Sequence, residues 1–210
     1  QNVAEAIKDW DLRYVVITSV CRDDLPDEGS SHFAKTIECI KSECPNTVVE
    51  SLIPDFSGNR EFIETIVDAK PHVIGHNVET VNRLSLHVRD PRANYKQSLQ
   101  VLKNIKKLDS NIFTKSSLML GLGESDEEII QTAKDLRNVD VDIITLGQYM
   151  QPSKLHLSVK EFVLPEKFYK LKIDLKKLGF LHVESGPFVR SSFRASDVIE
   201  LITTKKNKEN

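Results

Sequence analysis

Short apolar, β-branched runs alternate with helically spaced segments along almost the whole chain, and few architectures accept that order. Residues 13–19 (RYVVITS), 47–53, 72–77, 111–120, 141–146 and 180–184 read as strands. They are apolar without strict alternation, as in strands covered on both faces. Between them, residues 30–42, 60–69, 78–88, 95–107, 125–138 and 165–178 read as helices, as does a segment beginning near Gln1. Phe33, Ile37 and Ile40 show the helical spacing, as do Phe62, Ile63, Ile66 and Val67. Ser125, followed at once by Asp126, Glu127 and Glu128, is a helix start with acids at the positive end of the dipole, and Gly179 is a helix stop. Repeated β-α alternation of this kind predicts a parallel sheet covered by helices.

The polar residues gather where the strands end: Thr18-Ser19, Asp55, His76-Asn77, Gly121-Leu122-Gly123-Glu124 and Gly147-Gln148. A (β/α) barrel places its active site there. A doubly wound open sheet does the same, so periodicity alone leaves both open. Six strands are too few for a closed eight-strand barrel, which points to a partial one. The chain of 210 residues suffices for one sizeable core. Its net charge of -2 gives no global pull towards nucleic acid or anionic membrane, and no apolar run is long enough to span a bilayer. Residues 205–210 form a short polar tail after a domain of residues 1–204.

Single motifs decide little. Gly121-Leu122-Gly123-Glu124 suits close backbone approach to a ligand, or a plain strand-to-helix turn. His76-Asn77-Val78-Glu79 offers an amide and a carboxylate for a ribose diol or an ammonium group, or a helix cap. Cys21-Arg22-Asp23-Asp24 can anchor a polar ligand or form a structural ion pair, and the Arg190-Ser191-Ser192-Phe193-Arg194 stretch reads as a helix cap. Three cysteines, Cys21, Cys39 and Cys44, form neither a disulfide framework nor a zinc or ferredoxin spacing. There is no HExxH, GxSxG or P-loop pattern.

Taken together and in order, YVVITSVCRDDLPDEG, PDF, HNVETV, VRDPRANYKQSL, TKSSLMLGLGESDEE, LGQYMQPS and SGPFVRSSFRA resemble the lipoyl synthases, radical S-adenosylmethionine enzymes, and are most similar to their mitochondrial, animal-type branch. The resemblance implies a partial (β/α)6 TIM-type barrel of the radical SAM kind, here without its first strand and cluster loop. It implies S-adenosyl-L-methionine and two [4Fe-4S] clusters as cofactors, and sulfur insertion at C6 and C8 of a protein-bound octanoyl group. The implied partners are octanoylated lipoyl carrier domains and an electron donor such as ferredoxin, and the implied location is mitochondrial. By motif position, Ser192 is the expected cluster ligand. Thr18, Ser19, Asn77 and Glu79 are expected at the cofactor, and Lys115, Gln148 and Arg190 at the wall of its cavity.

The chain departs from the family in its cluster cysteines and at three single positions. Both cluster-binding cysteine triplets are absent. Cys21 stands in place of a usual Asp, Glu28 in place of a Gly, and Phe193 in place of a Tyr. Either these residues are the greater part of an active enzyme, or they form a catalytically dead relative that at most binds a carrier domain. In both cases this polypeptide alone is expected not to make lipoate. A reading without the resemblance would make Lys115 a Schiff-base lysine in an aldolase-like barrel.

Overall fold

The computed structural model describes residues 1–192, 198–200 and 202. Its single sheet has six parallel strands in the order of the sequence: β1 (Tyr14–Thr18), β2 (Val48–Leu52), β3 (Val73–Gly75), β4 (Phe113–Leu120), β5 (Ile143–Gln148) and β6 (His182–Ser185). Helices α1 (Asn2–Asp9), α2 (Ser30–Glu43), α3 (Arg60–Asp68), α4 (Ser85–Val88), α5 (Tyr95–Leu108), α6 (Asp126–Arg137) and α7 (Pro165–Lys177) make the crossovers and flank them. Ser125 caps α6 in a full capping box with Glu128. The expectation of a parallel α/β partial barrel is met. The tail at 205–210 lies outside the described residues.

The strands sort their side chains by alternation. Val49, Ile74, Ile144 and Leu146 point to the helices and pack into two large apolar clusters. The first residues of five strands, Tyr14, Val48, Val73, Phe113 and Ile143, form a third, smaller cluster. Val198 and Ile202 are buried in it, so residues near the end of the chain cover the amino end of the sheet's inner face.

One layer above that apolar floor the inner face becomes ionic. The Lys115 ammonium on β4 donates to both Glu50 oxygens on β2, at 2.8 and 3.0 Å, and the Tyr14 hydroxyl on β1 donates to the same carboxylate. Burial and Glu50 together push the Tyr14 phenol well above its ordinary range. The two charges come from strands that are not neighbours, because β3 lies between them. Between them β3 presents Gly75, whose missing side chain leaves room beside the pair. A Cβ on Gly75 would sit 3.3 Å from Leu52 and 3.7 Å from Glu50 Oε1.

Two elements differ from the expectation. Strand β3 ends at Gly75 rather than Asn77, and residues 78–81 are not helical. The chain instead re-pairs with β4: Glu79 N–H donates to Ser117 O, and Met119 N–H to Glu79 O. Glu79 reaches this position with φ at +65°, a left-handed conformation costly for a non-glycine residue. A local pairing across the sheet has overridden the helical spacing.

A buried pair broken on one side leaves an uncompensated charge. Lys115→Met is therefore expected to cost about 3–5 kcal/mol of unfolding free energy, and the double substitution Glu50→Leu with Lys115→Met to recover much of that loss. Urea unfolding of the three chains checks this, and a double variant no more stable than the single one counts against the pair.

Candidate active site at the carboxyl end of the sheet

Two cavities open where the strands end. The larger, of about 450 Å³, is lined by Asn77, Glu79, Ser117, Gln148, Val189 and Arg190, with an apolar wall that includes Val88, Leu118 and Met119. The smaller, of about 190 Å³, lies between the ends of β2 and β3 and is lined by Cys21, Asp55, His76, Asn77, Glu79 and Arg89. Asn77 and Glu79 belong to both. The bulge that re-pairs residues 76–79 with β4 is thus what turns an amide and a carboxylate into the partition between them. Burial raises the Glu79 pKa, against the Asn77 hydrogen bond and the nearby Arg89, which lower it.

Gln148 builds the roof. Its side-chain amide donates to Tyr149 O and Glu161 O, and its side-chain oxygen accepts from Val163 N–H. The Tyr149 hydroxyl donates to Leu157 O. Together they hold the loop between β5 and α7 over the cavity that Leu157 and His156 line. This packing needs Gly121, whose φ is +99°. A Cβ there would fall 2.3 Å from both Gln148 Nε2 and Glu161 O. Gly147 plays the same part for the segment after β6. A Cβ on it would fall 2.0 Å from Val189 O, so only glycine lets residues 187–190 cross the inner face.

The expected site residues separate. Asn77, Glu79, Gln148 and Arg190 come together at the larger cavity. Among the described residues Arg190 hydrogen-bonds to the carbonyls of Pro187 and Val189, at the cavity wall. Thr18 and Ser19 end the edge strand β1, are exposed and line neither cavity. Lys115 lines neither cavity either. It lies in the ionic layer, 3% exposed and clamped by Glu50, where it meets no carbonyl substrate, so the Schiff-base reading fails. Ser192 is exposed in the turn after Arg190, while its neighbour Ser191 lines the cavity. Phe193 lies outside the described residues. The Gly121-Leu122 N–H groups are not open to a ligand, because Glu124 occupies them at 2.6 and 3.0 Å.

His76 and Arg89 were not singled out from the sequence as site residues. His76 is buried, with Nδ1 3.1 Å from Ile53 O and Nε2 2.9 Å from Ser98 Oγ, which also accepts from Arg89 at 2.7 Å. The sequence signal for Arg89 was its place in VRDPRANY, but nothing local tied it to residue 98.

The cysteines present do not form a thiolate set for an iron–sulfur cluster. Cys21 is exposed at the smaller cavity, Cys39 is half-buried on α2, and Cys44 is buried against Ala4 O. Among the described residues no three His, Cys, Asp or Glu side chains converge to hold a metal.

A partial parallel barrel with its cavities at the strand ends is shared by several enzyme classes, so the fold alone does not choose among them. Over 98% of its length the fold matches the FeFe-hydrogenase maturase HydG from Carboxydothermus hydrogenoformans, with a TM-score of 0.63 at 14% identity, covering 57% of that chain. The Radical SAM superfamily model matches residues 1–136, and the chain belongs to that superfamily. Within it the curated relatives are lipoyl synthases. One from Myxococcus xanthus is 54% identical over 93% of this chain, and a mitochondrial one from Trichoplax adhaerens is 53% identical over all of it. The chain spans 66% and 60% of the length of these two relatives.

His76 gives the site a pH signature. Burial lowers its pKa from 6.5 to about 4. Below 6.5 the unfolded chain therefore binds a proton that the folded chain refuses, and stability falls as pH drops through that window. The loss between pH 7 and 4.5 is expected to be about 2–3 kcal/mol from this residue. In urea titrations His76→Gln should lose less stability over the same interval, and identical losses would sink the assignment.

Proposed function

We propose that residues 1–204 form the barrel of a lipoyl synthase, which binds S-adenosyl-L-methionine at the strand ends and inserts sulfur at C6 and C8 of an octanoyl group on a lipoyl carrier domain. The observation that carries this reading is the juxtaposition of Asn77, Glu79 and Arg190 with an apolar wall in one cavity. The polar groups suit the ribose and charged groups of the cofactor, and the apolar wall suits an alkyl chain. When bound, the cofactor supplies the radical chemistry, and the protein supplies orientation and a dry cavity. Asn77 and Glu79 hold the cofactor from the partition. Gln148 keeps the roof closed against water. Arg190 sets a positive charge at the wall. Thr18 and Ser19 meet the cofactor only if β1 and its following loop close inward.

Ser192, exposed in the turn after Arg190, is the proposed ligand to a [4Fe-4S] cluster. Its thiolate partners are not among these residues, nor is the second cysteine triplet. This polypeptide by itself is therefore proposed to make no lipoyl groups. The carrier domain, a ferredoxin-type electron donor and a mitochondrial location belong to the same reading, the last supported by relatives of that compartment.

Anaerobic reconstitution of the 210-residue chain with iron and sulfide is expected to give neither two [4Fe-4S] clusters nor reductive cleavage of S-adenosylmethionine. Joined behind the cysteine-bearing segment of the Myxococcus relative, the same residues are expected to convert octanoyl to lipoyl carrier domain, with Asn77→Ala lowering the rate at limiting cofactor by about 10- to 100-fold. Two clusters and cofactor cleavage in the chain alone, or a loaded chimera that binds carrier domain without converting it, would overturn the proposal.

A further inference from the structure

The larger cavity opens to solvent at a defined rim. Met150, His156, Leu157 and Arg190 line it and are nevertheless exposed. They come from two loops, one after β5 and one after β6. Each loop also turns one large apolar side chain outward beside the rim. Leu155 is 96% exposed between lining residues, and Phe188, next to the lining residue Val189, is 85% exposed. Neither lines either cavity. A single exposed apolar residue is ordinary, but a group of them around one opening marks an interaction surface.

Both side chains are held in place by their loops. Leu155 N–H donates to Ser153 Oγ, which also pairs with His156 Nδ1 at 2.9 Å. The Gln151 side-chain amide donates to His156 O, and the Tyr149 hydroxyl to Leu157 O, each at 2.9 Å. On the other side Gln148 N–H donates to Pro187 O, and Val189 N–H donates to Gly186 O across Phe188. An apolar side chain on a preordered loop loses little freedom when it is covered, which suits an interface anchor. The loop after β5 also carries two cations, Lys154 and Lys160, with no carboxylate within ion-pair distance among the described residues. The acid of that loop, Glu161, lies 3.9 Å from Lys167 instead.

We infer that these two loops form the docking face for the folded domain that carries the acyl group, with Leu155 and Phe188 as anchors and Lys154 and Lys160 facing carboxylates of that domain. This rests on the lipoyl synthase reading above and adds to it the surface that meets the carrier. A chain delivered on a lysine enters through the rim. The lysine side chain is short, so the domain behind it comes to lie on whatever surrounds the opening. That surround is apolar with a basic border, and its complement is an apolar patch with acidic residues beside the acylated lysine. Docking of this kind strengthens binding of the domain and leaves the reaction in the cavity unchanged.

Two substrates with the same reacting group separate docking from chemistry: an octanoylated carrier domain, and a short peptide with an octanoylated lysine. In the loaded chimera, Leu155→Ser with Phe188→Ser is expected to raise KM for the domain about 10- to 100-fold, and to leave kcat and the KM of the peptide unchanged. Lys154→Glu with Lys160→Glu should raise KM for the domain several-fold, an effect that added salt diminishes. An unchanged KM for the domain in both variants, or an equal loss on both substrates, overturns the inference. The equal loss is what an upstream segment packed on Leu155 and Phe188 would give. A chimera that sediments as a dimer through the same two residues also overturns it. If the chimera converts neither substrate, the functional reading fails, and titration of the octanoylated domain decides the docking face by itself. Binding that is lost in Leu155→Ser with Phe188→Ser upholds the face, and absent or unchanged binding overturns it.

Discussion

The Glu50–Lys115 bridge ties β2 to β4 across β3, beneath the cavities at the strand ends. Two charges on β2 and β4 meet across β3, beside Gly75. Tyr14 extends the same network to β1, so three of the six strands are tied on the inner face. Such a bridge is weak evidence for net stability, since desolvating both ions offsets much of their attraction. Its geometric effect is clearer. It separates an apolar floor, covered by Val198 and Ile202, from a polar chamber above.

The chamber is built by backbone departures from regularity. Glu79 accepts a left-handed conformation to pair with β4, and in doing so it and Asn77 become the wall between two cavities. Gly121 and Gly147 admit a side chain and a crossing segment where any Cβ would collide. Each irregularity lies at the carboxyl end of the sheet, where parallel α/β proteins bind their ligands. The helical layers beneath are more regular, with side-chain caps on α3, α5 and α6 and apolar packing in two large clusters.

Much of this could be read from the chain. The strand and helix segments at 30–42, 95–107 and 165–178 follow their apolar periodicity to within a residue or two. Residues 78–81 did not, because pairing with β4 depends on a partner about forty positions away. Lys115 shows the same limit. From sequence it is expected at the wall of the cofactor's cavity, and from the fold it is the buried partner of Glu50. Gln148 was expected at the cavity wall and lies there, but its part in holding the roof comes from contacts with residues 161 and 163.

By itself the sequence determined the class of sheet, the strand ends as the place for chemistry, the family, and the lack of thiolates for a cluster. These depend on local periodicity, on composition and on motifs contiguous in the chain. Only the tertiary structure decided which polar residues face the chamber and which are sealed below it. It alone joined His76, Ser98 and Arg89 into one relay from three separate segments. The reason is physical. Burial and pairing are properties of neighbours in space, and in a parallel sheet every neighbour is a crossover away in sequence.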